Sequence, residues 1–165
     1  MGGEYEIHPF RSSQAENFKK MLGKCFSQDY LIPLTEAQLN ELFEDMRKSV
    51  DENIIYIDLL LINHEAKGFI IYQVDKPESD WCEKETWGCI RELYVADDVR
   101  KKAYGKKLAD HAEEQLRKSS VPGVYLTAEE AIGFWVKIGY RDSGEVCEKN
   151  KGNILIKKEP RHDSI

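Results

Sequence analysis

The chain has 165 residues, 41% hydrophobic and 33% charged, with a formal net charge of −6. That length can bury a core without disulfide or metal staples, so residues 1–165 are expected to form a single domain. The acidic balance argues against general nucleic-acid binding, and no apolar run approaches membrane-spanning length.

Cys25, Cys82, Cys89 and Cys147 show no regular spacing, and His8, His64, His111 and His162 are equally scattered. They read as reduced thiols and ordinary histidines, and no metal site is expected. The N-terminus carries no basic-then-apolar leader, and Glu6 stands where an acylation signal wants Ser or Thr. A cytoplasmic protein that does not engage membranes is expected.

In chain order, Tyr5–Phe10 reads as a first strand. Ser13-x-x-Glu16 has the capping-box pattern and precedes helically spaced Phe18, Leu22 and Cys25. Thr35-x-x-Gln38 repeats that signal ahead of Leu39, Leu42, Phe43 and Met46. Residues 54–62 are almost continuously apolar, as a strand buried on both faces should be. A turn at 63–68 leads to a partner strand over 69–74. Residues 75–86 carry five acids against two lysines and read as a surface excursion. A fourth strand follows over 87–95.

A helix is expected from about Tyr104 to Lys118, with Tyr104, Leu108, Ala112 and Leu116 on one stripe. Residues 124–127 read as a short strand. Thr127-x-x-Glu130 looks like the cap of another helix, which ends at Gly139 in a left-handed turn. Residues 140–149 and 154–158 close the chain as a hairpin. The order β-α-α-β-β-β-α-β-α-β-β implies an α+β (mixed α/β) fold with a central, mostly antiparallel sheet of six or seven strands and about four helices.

Between Arg100 and Lys107 stand five cations and no anion, at the point where a strand passes into a helix. Cations at a helix N-terminus oppose the helix dipole, so their concentration there implies an anionic ligand. The segment Arg100-Lys-Lys-Ala103-Tyr-Gly105 resembles the pyrophosphate motif of the GNAT superfamily of acyl-CoA-dependent N-acyltransferases, with Ala103 replacing its first glycine. Ile90-Arg-Glu-Leu-Tyr-Val95 resembles that family's fourth strand. Ala131-Ile-Gly-Phe134-Trp135-Val-Lys-Ile-Gly139-Tyr140 is similar to its second signature.

The resemblance implies acetyl-CoA as cosubstrate. Arg100, Lys101, Lys102, Ala103, Tyr104, Gly105 and Lys106 would form the phosphate turn, with backbone N–H groups from Lys102 to Lys106 around the pyrophosphate. Leu93, Tyr94 and Val95 would offer backbone groups to the pantetheine arm, and Trp135 would lie near it. The implied activity is acetyl transfer to a primary amine of a small molecule or peptide, by direct attack in a ternary complex.

The family's usual catalytic positions are altered. Cys89 and Arg91 hold the places of acceptor-side carboxylates, and Trp135 replaces the tyrosine that protonates the leaving thiolate. Glu92 is the remaining candidate base, although strict strand alternation turns it away from the acceptor unless a bulge restores it. Trp135 reads equally as a pantetheine contact or as core. Two functions therefore stay open, an acetyltransferase and an acyl-CoA-binding module with little turnover. The amine acceptor is unidentified, and homodimer formation is open.

Overall fold

The computed structural model describes residues 4–128 and 131–158. By their internal contacts the described residues fall into two compact units, 4–71 with 92–109, and 72–91 with 110–158. One seven-stranded sheet runs in the order β1-β2-β3-β4-β5-β7-β6. Its strands are β1 Tyr5–Pro9, β2 Tyr56–Ile62, β3 Glu65–Val74, β4 Gly88–Val95, β5 Gly123–Ala128, β6 Arg141–Val146 and β7 Asn153–Lys158. The helices are α1 Ala15–Lys24, α2 Glu36–Asp51, α3 Tyr104–Arg117 and α4 Ile132–Lys137. β1–β2, β5–β7 and β6–β7 are antiparallel, whereas β4 and β5 are parallel. None of the described helices is long and apolar enough to cross a membrane.

The first unit packs α1 and α2 on an aromatic core. Phe18 of α1 meets Phe69 of β3 edge-on at 5.1 Å, and Phe69 stacks on Tyr94 of β4 at 5.6 Å. β2 is buried along nearly its whole length, which explains an apolar run interrupted only by Asp58. The Thr35 capping box forms as its spacing predicts. Gln38 N–H donates to Thr35 Oγ1 at 3.1 Å, and Thr35 N–H donates to Gln38 Oε1 at 2.9 Å. The Ser13 box does not form: residues 12–14 tighten into a 3-10 turn, and α1 starts at Ala15 with Gln14 as an uncapped N-cap. After α1 the backbone widens into a π-helical turn, Cys25–Asp29.

The second unit is built around Tyr125 and Cys147, both fully buried, with Cys89, Ile154 and Ile156. Gly123 allows Trp87 to lie against the backbone, since a Cβ there would sit 2.6 Å from the indole. α4 is a correction to the expected cap. Thr127 belongs to β5, where its hydroxyl accepts from Asn150, and Ala131 is the N-cap, left-handed at φ 58° with no side-chain cap. Gly139 ends α4 at φ 112° as expected.

The segment 75–86 is a largely exposed excursion, as expected, but it is anchored by one buried carboxylate. Asp75 is only 1% exposed and accepts from the N–H groups of Glu83 and Lys84 (both 3.0 Å) and from Gln73 Nε2 (2.9 Å). Tyr125 also donates its hydroxyl to Asp75. A buried carboxylate is tolerated only when its oxygens are satisfied in this way.

Candidate acyl-CoA site

The strand-to-helix turn is a backbone feature before it is a charged one. Lys101 and Ala103 are both left-handed, at φ 65° and 67°, while Lys102 between them is not. Alternation of hand along successive residues turns N–H groups to one side and makes an anion-binding concavity. α3 begins immediately after. Its first closed bond runs from Lys107 N–H to the Ala103 carbonyl at 3.1 Å, so the first-turn N–H groups lack intrahelical acceptors. The conformation also explains why a glycine would be favoured at position 103, since a Cβ makes the left-handed region costly.

The side-chain charges are less available than a count suggests. Arg100 donates from Nε to the Val95 carbonyl at 2.7 Å and from one terminal nitrogen to both Asp29 oxygens at 3.0 and 3.2 Å. Its guanidinium also lies over the Tyr94 ring, 5.6 Å from the centroid. Lys107 lies 5.0 Å over the Tyr5 ring. Lys102 lines an open groove with Tyr5, Tyr104 and Lys107.

β4 supplies the next part of the site. Its parallel ladder with β5 comprises Gly88↔Val124 and Cys89↔Tyr125, so among the described residues Ile90–Val95 have no partner in that ladder. Gly68 lets β3 approach closely, because a Cβ would stand 2.6 Å from the Tyr94 carbonyl. The Val95–Ala96 peptide is held at both ends, its carbonyl by Arg100 and its Ala96 N–H by the Lys67 carbonyl at 2.8 Å. Tyr94 is buried and its phenol is pushed up by that burial, so it stays protonated.

Glu92 lies on the strand face of Tyr94, and its carboxylate accepts the hydroxyl of Tyr30, just beyond the π-helical turn. Arg91 donates to Gln73 at 3.1 Å, and Gln73 shares the β3 face of Phe69 and Ile71 by alternation. Burial, and then the Glu92 charge, raise the Tyr30 phenol far above its ordinary range. Cys25 is fully buried, and desolvation followed by the charges of Glu92 and Asp29 raises its thiol as well.

Leu93, Tyr94, Val95, Glu92 and the turn from Arg100 to Lys106 all fall in the first unit. Trp135 falls in the second, 8% exposed, with its indole edge-on to Phe134 at 5.0 Å and Tyr140 at 5.4 Å. Cys89 is buried with Tyr125 and Cys147. Asp29 and Tyr30 were not singled out from the sequence. The readable signal was the run Tyr30-Leu-Ile-Pro-Leu34, unusually apolar for a connection between two helices.

A model described as the acetyltransferase (GNAT) family matches residues 16–140. Among solved structures, an acetyltransferase from Thermus thermophilus superposes with a TM-score of 0.75 at 14% identity, covering 96% of this chain and 100% of that one. A GNAT-family acetyltransferase from Staphylococcus aureus gives 0.74 at 16% identity, covering 94% and 99%. The PaiA N-acetyltransferase of Thermoplasma acidophilum, in complex with coenzyme A, gives 0.71 at 16% identity, covering 94% and 99%. A search of curated proteins returns no match.

Proposed function

Because the chain belongs to the GNAT family of acetyltransferases, we propose that it transfers an acetyl group from acetyl-CoA to a primary amine by direct attack in a ternary complex. The observation that carries this reading is the alternating left-handed turn Lys101–Ala103 at the start of α3. It fits a pyrophosphate: N–H groups converge without intrahelical partners, and Lys101, Lys102 and Lys106 bring positive charge to the same turn. The family match spans 16–140 and so runs through both units, which supports reading 1–165 as one acyltransferase domain. The four cysteines form no disulfide, which suits a cytoplasmic protein.

In this reading the bound thioester supplies the electrophilic acyl carbon. The backbone of Leu93, Tyr94 and Val95 aligns the pantetheine arm, and the doubly held Val95–Ala96 peptide keeps the strand end rigid. Glu92 takes the proton from the attacking ammonium, with Tyr30 orienting its carboxylate. Positioning and desolvation supply much of the acceleration, as general acid–base catalysis adds about 10²–10⁴-fold. Trp135, packed on Tyr140, serves as core in this reading, and solvent returns a proton to the thiolate.

Calorimetry with acetyl-CoA tests the cradle. Binding is expected, and Lys102→Glu with Lys106→Glu should abolish it; undiminished affinity in that variant would refute the placement. Thiol release with a panel of amines, from neutral to alkaline pH, tests transfer. Glu92→Gln should lower kcat at neutral pH and recover as pH rises and the amine deprotonates unaided. Binding with no release for any amine would leave an acyl-CoA-binding module.

A further inference from the structure

We propose that the second unit carries a binding site for a small carboxylate, built from Arg91, Gln73, Trp81 and Lys149. Two sources present that chemistry, the carboxylate of an amino-acid acceptor and a free organic acid.

Arg91 is a half-buried cation on β4 whose contacts among the described residues are all to neutral groups. One terminal nitrogen donates to Gln73 Oε1 at 3.1 Å, and the guanidinium lies over the Trp81 ring, 5.9 Å from its centroid. A guanidinium has five N–H donors, so most of the fork is left for a ligand. The buried carboxylate beside Gln73 does not take it up. Asp75 is already occupied by Gln73 Nε2, by the N–H groups of Glu83 and Lys84, and by the Tyr125 hydroxyl.

The fork is held in place before any ligand arrives. Gln73 is fully buried, and its Nε2 donates to Asp75 Oδ1 at 2.9 Å and to the Trp81 carbonyl at 2.7 Å. That leaves Oε1 for Arg91, so one side chain positions both the guanidinium and the residue whose ring it covers. A fork fixed in this way loses little rotamer freedom on binding.

Lys149 brings a second charge. Its Nζ lies 5.4 Å from the Trp81 centroid and donates to the Asp80 carbonyl at 3.2 Å, and it too has no ion pair among the described residues. Two like charges gathered on one indole repel each other, and an anion taken up there relieves that repulsion.

The neighbourhood selects which anion. Glu83 accepts from Cys147 at 2.9 Å and Glu145 pairs with Lys84 at 3.6 Å, while Glu78, Asp80 and Glu85 are exposed and keep the surroundings negative. Diffuse charge therefore draws no anion to this place, and attraction falls to the directed fork. A planar carboxylate takes two parallel N–H···O bonds from a guanidinium. A doubly charged phosphate meets more repulsion from the same acids.

The test titrates the protein with acetate and benzoate, and with acetamide and benzamide, at constant ionic strength set by chloride. Nitrogen–proton NMR resonances of the Trp81 indole and the Arg91 Nε–H report occupancy. Both carboxylates should shift both resonances saturably, and the amides should bind at least about tenfold more weakly. Arg91→Lys keeps the charge but loses the fork, and should weaken acetate binding about tenfold. Lys149→Gln, at an exposed side chain, should weaken it about threefold. No saturable shift in the wild-type protein, equal affinity for carboxylate and amide, or phosphate bound as tightly as acetate would each overturn the proposal without recourse to a variant.

Thiol release with acetyl-CoA then separates the sources. If the carboxylate belongs to the acceptor, leucine should exceed leucinamide in kcat/KM by at least about tenfold, and Arg91→Lys should erase the difference. If the two are equal while benzoate still binds, the site takes a free organic acid. Only this comparison rests on the acyl-transfer reading. If no thiol is released, that reading fails and the titration still decides the site.

Discussion

Ala103→Gly isolates the backbone argument for the phosphate turn. Ala103 sits at φ 67°, where an L-residue with a Cβ is strained by about 1–2 kcal/mol. Glycine removes that strain but gains freedom in the unfolded chain, which opposes it by about 0.4–1 kcal/mol. The net effect is stabilisation of about 0.5–1 kcal/mol. For a chain of this size that raises Tm by roughly 1–4 °C. Urea titration should show a higher midpoint with an unchanged slope, since no new surface is exposed on unfolding.

Removing the methyl also widens the cradle, so acetyl-CoA should bind more tightly in calorimetry, by roughly threefold. The control is Lys102→Gly. Lys102 is not left-handed, so glycine there loses entropy without relieving strain and should destabilise by about 0.5–1 kcal/mol. Loss of stability in Ala103→Gly as large as in the control would refute the conformational reading. Weaker acetyl-CoA binding in Ala103→Gly would show that the methyl does not crowd the phosphates.

Tyr125→Phe removes one of the donors to buried Asp75 and should cost about 1–2 kcal/mol, with faster amide exchange confined to 75–86. Glu113→Ala removes the acceptor of Lys157 Nζ and of the Tyr140 hydroxyl, both at 2.9 Å, and should cost about 3 kcal/mol by chemical denaturation. Cys25 links stability to pH. Its folded thiol is raised above the ordinary 9.0, so its contribution is complete below that value and is lost as pH rises beyond it. Urea midpoints measured between about pH 8 and 10.5 should fall, by up to about 1.4 kcal/mol per unit from this group, and Cys25→Ala should flatten the decline. A pH-independent midpoint in the wild-type protein would refute that coupling.

The parts legible in the sequence are those determined within a few residues. The Thr35 box forms because both of its hydrogen bonds close over three positions. Gly139 terminates α4 because only a residue without a Cβ adopts φ 112° easily. The passage from β4 into α3 was readable from the small residues in the turn and the apolar stripe after it. The failures have an equally local reason. Ser13 and Thr127 carry capping patterns, but residues 12–14 form a 3-10 turn, and Thr127 is drawn into the β5–β7 ladder at Thr127↔Ile154. A cap pattern states what a helix start would use if the chain turned there.

Contacts distant in sequence were not legible. Tyr30 and Glu92 are 62 positions apart, and Asp29 and Arg100 are 71 apart. Simple alternation directs Glu92 away from the acceptor side, and nothing local in the sequence announces its contact with Tyr30.

The Asp29 contact also changes what the basic turn means. Five cations without an anion nearby in sequence implied a ligand by electrostatic conflict at the helix start. In the folded chain Arg100 already has Asp29, and Asp97 at 3.4 Å, while Lys107 rests on Tyr5. Part of the conflict is therefore resolved internally, and charge alone is a weaker reason for a phosphate than it was. What replaces it is the left-handed pair at 101 and 103, a conformation that costs free energy and turns N–H groups toward one point. Arg100 then belongs with the framework, holding the Val95 carbonyl and the π-helical turn together. The lysines remain to supply long-range attraction, which salt screens and backbone geometry does not lose.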